Sequence, residues 1–486
     1  MTDIQATEWG FYGRSVEIEE IRKIASSGRW FFCSISGRRR IGKTTLIREA
    51  LGQPSNRPFY FQVPDSDERG VVQAFWDAAE DDVASYGSED IAKTTGDLVR
   101  ESVTTFSGMA QLIRSMCEGG LTVVIDEFQY FHRSQLSPFT SFLQKHVDNL
   151  RDTDKGGLFV LGSIHTEMTA ILEDQASPLF NRRTSHIDVG HWDFETLNEM
   201  FAAQGIDDPE RRLFLWSMFE GVPKFYRDCF EQGVFDIGEN FRQETLRRLF
   251  FEGSSPLKEE AANWFLRELR GRYDTLLKLL AYRGTCSSGE LRADFVKAGT
   301  ASSTQLTAYL STLIDRYGMV EKLQPVFATT KQRKARYAIA DNFLAAWLGA
   351  IARNVQATRI QPIEVPLQRA DDALATLEGF AFEKMVRQLI EECSRKGVGD
   401  FLLSEVVRGY WNKPDGSDIE IDIVAYNEDN EIVRFGSCKR SQTKHSVDNL
   451  AHFEEHVAKF LKTKDGSRFK NWTIQKALYS PRFNEE

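Results

Sequence analysis

The chain has 486 residues, well above the ~100–150 of a typical domain, so three or four domains are expected. It is 41% hydrophobic and 27% charged, and no apolar run nears the ~18 residues needed to cross a bilayer; with the polar opening MTDIQATEWG, which is not a signal peptide, this predicts a soluble cytoplasmic protein. A net charge of −10 excludes a nucleic-acid binder that is basic all over and leaves only a local patch for DNA, while six scattered cysteines with no C-x-x-C pair exclude a disulfide framework and a zinc site of recognisable spacing.

The first element is a short buried strand, WFFCSI (30–35), followed by a glycine-bracketed loop and a helix, TTLIREAL (44–51). Gly37 to Thr44 fits G-x-x-x-x-G-K-[ST], the phosphate-loop pattern. Gly37 and Gly42 let the backbone turn so that consecutive N–H groups face one anion, with the positive end of the helix behind them. Lys43 would reach the β- and γ-phosphates, and the Thr44 hydroxyl would bind Mg²⁺. Arg38, Arg39, Arg40 and Ile41 fill the free positions of the loop and Thr45 follows it. The arginines read either as loop charge or as contacts to a phosphate or partner.

Downstream, LTVVIDEFQY (121–130) is a β-branched strand ending in two acids. Asp126 is expected to hold Mg²⁺ and Glu127 to polarise the attacking water. GLFVLGSI (157–164) is a further strand ending at Ser163 and followed by His165; either residue reads as a γ-phosphate sensor or as an ordinary strand end. FYFQV (59–63) and HIDVG (186–190) bring the count to about five strands alternating with helices. The fold class is α/β, a parallel sheet covered on both faces.

In this order, FYGRSVEIEEI (11–21), GRRRIGKTTLI (37–47), VVIDEFQY (123–130), LGSIHTEM (161–168), SPLFNRRTSHIDV (177–189) and FEGVPKFY (219–226) resemble the archaeal-type P-loop ATPases, which are related to the AAA+ and STAND classes. The resemblance implies an ATP-binding and ATP-hydrolysing switch. It implies that the FYGR box packs near the adenine, with Ser15 where the family carries an acid. It places Pro223 near the base, and Arg182 and Arg183 where an arginine reaches the γ-phosphate in cis or from a neighbour. The tail resembles the C-terminal domain that often accompanies these ATPases and is similar to PD-(D/E)xK nucleases.

Residues 191–268 read as a helical lid, ending in a helix at 256–269. Residues 269–350 read as three helices and a basic hairpin, the pattern of a winged helix. Its third helix would enter a major groove, and Lys331, Arg333, Lys334 and Arg336 would meet phosphates. The alternative reading of the same hairpin is a solvated turn on a domain that regulates the ATPase. Residues 351–373, with two prolines in 354–373 and no clear period, read as a linker.

The last domain, 374–486, carries DIEIDIVAYNEDNEIVRFGSCKR (418–440), a predicted hairpin. By strand alternation Asp418, Glu420 and Asp422 share one face, and Ile419, Ile421 and Ile423 the other. A site of two carboxylates and a lysine suits Mg²⁺. The resemblance assigns Glu383, Asp422 and Lys439 as helix acid, strand acid and nuclease lysine. Ser437 stands where those nucleases carry a second acid, and Glu420 is the candidate to compensate. A protein- or DNA-binding fold without catalysis is the other reading.

Two functions follow. One is an ATP switch acting on DNA, through the winged helix and a C-terminal nuclease-like domain, active or degenerate. The other is a signalling or scaffolding ATPase that self-associates or binds protein partners. Expected cofactors are ATP and Mg²⁺, and no membrane contact is expected.

Overall fold

The computed structural model describes residues 8–52, 57–84, 104–163, 165–258, 260, 271–297, 303–329, 334–416 and 418–482. The chain divides into two compact units: residues 13–192 with 222–224, and residues 1–12, 193–221 and 225–486. Among the described residues no helix is long and apolar enough to cross a membrane.

The first unit is built on a five-stranded parallel sheet of β1 (Phe31–Gly37), β2 (Phe59–Gln62), β3 (Thr122–Asp126), β4 (Gly157–Gly162) and β5 (Ser185–Val189). Their spatial order is β2-β3-β4-β1-β5. β4 is buried at every position and β1 at all but the last, as expected of strands covered on both faces. The core is rich in phenylalanine: Phe59 and Phe61 pack edge-on against Phe75, and Phe131 stacks on Phe139 at 4.2 Å between ring centres. β1 is followed by the helix Lys43–Leu51, whose Leu46, Ile47 and Leu51 are buried.

The second unit holds the helices Phe194–Ala203, Pro209–Phe219 and Phe241–Leu246, and most of Pro223–Glu231. The helix expected at 256–269 lies largely outside the described residues. Next come the helices Arg272–Arg283, Ser288–Lys297 and Ser303–Ser311, with an antiparallel sheet of β6 (Thr285–Ser287), β7 (Val320–Leu323) and β8 (Arg336–Ile339) in the order β6-β8-β7.

The stretch 354–373, expected as an irregular linker, is largely helical. One helix covers Ala352–Ala357 and another runs from Glu364 to Lys396. Pro366 is the third residue of the long helix, where its missing N–H has no intrahelical acceptor to lose.

The C-terminal sheet is mixed, in the order β12-β11-β10-β9. β9 (Arg408–Trp411), β10 (Glu420–Asn427) and β11 (Ile432–Cys438) are antiparallel, and β12 (Thr473–Tyr479) returns parallel to β11 after the helix Val447–Leu461. The hairpin predicted at 418–440 is β10–β11. Its alternation is interrupted: pairing with β9 shifts register between Ile421 and Val424. Ile419 and Ile421 pack with Val424 and Tyr426, whereas Ile423 and Ala425 pack with Phe382 and Val386 of the long helix. The three isoleucines therefore do not share a face, because one extra residue in a ladder flips everything after it.

Candidate functional site

The parallel sheet brings the candidate residues together at the C-terminal ends of its strands. A Cβ on Gly37 would sit 2.5 Å from the Val189 carbonyl oxygen, so only glycine permits this approach of the loop to β5. Gly42 caps the following helix at φ 90°. Ile41 is buried beneath the loop, Arg39 and Thr45 are exposed, and Arg38 and Arg40 are half-buried. Pro223, which belongs to this unit, lies beside Gly42: a Cβ built there would be 4.0 Å from its ring.

Lys43 is the first residue of the helix and is buried. Its ammonium donates to the carbonyls of Gly37 (2.9 Å) and Arg38 (3.1 Å) and to Ser163 Oγ (3.0 Å). Burial pushes its pKa down to about 8, with Asp126 and Glu127 pulling the other way. Asp126 is also buried, and three donors fix its carboxylate. Thr44 Oγ1 donates to Oδ2 at 2.6 Å, Tyr60 OH to the same oxygen at 2.5 Å, and the Glu127 N–H to Oδ1 at 2.8 Å.

The sequence pattern suggests that the acid strand is the immediate neighbour of the phosphate-loop strand. It is not: β4 lies between β1 and β3. That insertion places Ser163, at the end of β4, between Lys43 and the acids. The side chain of His165 lies outside the described residues. Two further participants were not singled out in the sequence. Tyr60 sits on β2, which only the strand order shows to be beside β3. Gln129 is two residues after Glu127 in DEFQY, so its position was a usable signal.

Arg182 and Arg183 have partners of their own. Arg182 forms a bidentate pair with Asp148 (2.8 and 3.0 Å), and Arg183 bonds Glu173 (3.0 Å) and Ser34 Oγ (3.1 Å). Neither donates to the Lys43–Asp126 cluster in this structure.

The donors around the loop fit a magnesium triphosphate. A hydroxyl and a carboxylate, both hard oxygen ligands, are already in contact, and an ammonium faces the loop carbonyls. The C-terminal residues fit a metal poorly. Asp422 accepts from the Cys438 N–H at 2.8 Å and lies 3.6 Å from Lys439 Nζ, while Glu383 pairs with Arg387. Glu420, the candidate to compensate for Ser437, is held by Arg336 at 2.7 Å. Among the described residues no group of three or more metal-ligating side chains converges.

The basic hairpin is also engaged. Arg336 donates to Glu420 and to the Pro414 carbonyl and lies over the Trp411 ring at 4.5 Å. Trp411 Nε1 donates to the Lys334 carbonyl at 2.7 Å, and the Val326 N–H to the Gly409 carbonyl at 2.9 Å. Arg336, expected as a phosphate contact, here packs against β9 and β10 of the C-terminal sheet. Lys331 and Arg333 lie outside the described residues.

A strand, a glycine loop and a helix headed by Lys43, in one parallel sheet with a strand ending in paired acids, define a P-loop nucleotide-binding protein. Residues 11–224 match the family described as an ATPase domain predominantly from Archaea, and residues 347–450 match a family of archaeal and bacterial proteins of unknown function. The chain thus carries an archaeal-type ATPase domain over residues 11–224 and that second domain over residues 347–450. An uncharacterized protein of Methanocaldococcus jannaschii is 24% identical over 430 residues, covering 88% of this chain and 87% of its own length. The Walker-type ATPase of Pyrococcus abyssi matches with a TM-score of 0.50 at 18% identity, over 70% of this chain and 96% of that one. The Aeropyrum pernix ORC2 protein, solved as ADPNP–ADP complexes, matches with a TM-score of 0.49 at 16% identity, over 74% of this chain and 98% of that one.

Proposed function

We propose that this chain binds Mg²⁺–ATP at the Gly37–Thr44 loop and hydrolyses it as a conformational switch. The observation that carries the reading is the presence of two hydrogen-bonded pairs, Lys43–Ser163 and Thr44–Asp126, at one end of the sheet. Lys43 would exchange its carbonyl partners for phosphate oxygens. Thr44 and Asp126 would hold the magnesium, which when bound neutralises charge on the β- and γ-oxygens. Glu127 would accept a proton from the water that attacks the γ-phosphorus, as the bond to the bridging oxygen breaks and ADP leaves with that oxygen. Phosphate release by the pure full-length chain with ATP and Mg²⁺ tests this; no release, with no ATP bound, rejects it.

The switch acts on duplex DNA in the reading that a single sequence observation favours: the sequence joining β7 to β8 includes KQRK at 331–334, three cations in four residues. With its three helices this module is proposed to be a winged helix. Net charge and the capture of Arg336 and the Lys334 carbonyl by β9 and β10 favour the other reading, a signalling ATPase whose second unit binds protein. In either case the C-terminal sheet serves as a clamp for the hairpin in place of metal-dependent cleavage, since Glu383, Asp422 and Glu420 all face cations of this chain. Binding to duplex DNA that weakens steeply with salt supports the first reading, and no salt-sensitive binding with or without ATP removes it.

A further inference from the structure

We propose that Gln129 is a positioning residue for hydrolysis, its amide tying the Glu127 carboxylate to the end of β4 that meets Lys43. The inference rests on the hydrolytic reading of Glu127 given above.

Gln129 lies in a short 3-10 turn, Phe128–His132, directly after β3. It is 2% exposed, and its neighbours Phe128 and Phe131 are fully buried, so the side chain has no room to swing into solvent. Both ends of the amide are committed. Nε2 donates to Glu127 Oε2, and Oε1 accepts from the Ser163 N–H at 3.3 Å. These partners fix which end is nitrogen: a carboxylate can only accept and a backbone N–H can only donate.

Ser163 is in turn a partner of Lys43, whose ammonium donates to its hydroxyl at 3.0 Å. A chain of polar contacts therefore runs Lys43–Ser163–Gln129–Glu127, from the group that would meet the terminal phosphates to the group that would meet the water. Glu127 has a left-handed backbone, φ 57°, which a side chain other than glycine keeps only where its surroundings hold it. A buried glutamine bonded to its own carboxylate is one such hold.

In this view Gln129 aims Glu127 and couples that aim to Ser163. When Lys43 shifts toward phosphate oxygens, the change at Ser163 is passed through one amide to Glu127. Gln129 touches neither nucleotide nor water, so its removal should lower kcat and leave nucleotide affinity alone.

The test uses the full-length chain. Gln129→Leu should lower kcat about tenfold or more, with KM and the affinity for a non-hydrolysable ATP analogue kept within about twofold. In single-turnover phosphate release the double variant Glu127→Gln/Gln129→Leu should be no slower than Glu127→Gln alone, because a residue that acts only through Glu127 has no effect once that carboxylate is gone. Wild-type kcat in Gln129→Leu overturns the proposal, as does a loss that multiplies in full with that of Glu127→Gln. If the leucine variant does not fold, Gln129→Asn, which keeps the amide but shortens its reach, replaces it. A lowered kcat with analogue binding intact is then expected, and wild-type kcat overturns the proposal. Failure of the hydrolytic reading looks different: Glu127→Gln would itself turn over at the wild-type rate.

Discussion

Two sets of carboxylates in this chain look alike in sequence and differ in what surrounds them. Asp126 receives hydrogen bonds from a threonine hydroxyl, a tyrosine hydroxyl and a backbone N–H, all neutral donors. Glu383 and Glu420 face Arg387 and Arg336, and Asp422 faces Lys439. Glu378 extends the second pattern: it is 2% exposed and meets both Arg242 and Arg440. Neutral donors orient a carboxylate and leave its charge for an incoming cation, whereas an internal guanidinium or ammonium consumes that charge. A pair of acids followed by a lysine therefore indicates a metal site only when the fold keeps other cations away.

The sharpest way to break this contrast is at the first set. Glu127→Gln is expected to lower phosphate release by about 10²–10⁴-fold, the usual weight of a general base, with ATP still bound in an equilibrium titration. Lys43→Ala should weaken ATP binding by about 10–100-fold, the scale of lost charged hydrogen bonds; calorimetric titration measures it, and unchanged affinity would move the phosphate site elsewhere. Tyr60→Phe removes one of three donors to Asp126. A loss of about threefold to tenfold in kcat, the weight of one hydrogen bond, is expected from steady-state assays.

The second set should respond in stability and leave turnover alone. Arg336→Ala removes an ion pair and a ring contact. Because Glu420 is 41% exposed, the cost is discounted to about 1 kcal/mol, a fall of a few degrees in the melting temperature of the second unit. The smallest effect is expected from Asp422→Asn: no change in ATP turnover and none in Mg²⁺ uptake by calorimetry. Loss of magnesium binding in that variant would restore the metal reading of the hairpin.

Much of the first site was legible because its chemistry is local in the chain. The loop, Lys43 and Thr44 lie within eight residues, and the two acids are adjacent at the end of an apolar run. Gln129 was within reach for the same reason, three positions after Asp126. Tyr60 was not, because its relation to Asp126 depends on β2 lying beside β3 across 66 residues of chain. Arg182 and Arg183 stand in the motif position expected of γ-phosphate arginines, yet their partners here are set by Asp148, Glu173 and Ser34.

By itself the sequence determined the phosphate loop, the acid-ended strand, the alternation of strands and helices, and the hairpin at 418–440, since each rests on residue type and short spacing. Only the tertiary structure decided that β4 separates β1 from β3, that a register shift turns Ile423 away from Ile421, and that Arg336 meets Glu420 while Arg242 and Arg440 meet Glu378. Those outcomes depend on contacts between residues tens to hundreds of positions apart. Strand order and charge pairing belong to the packed chain, and no local pattern encodes which distant cation an acid will meet.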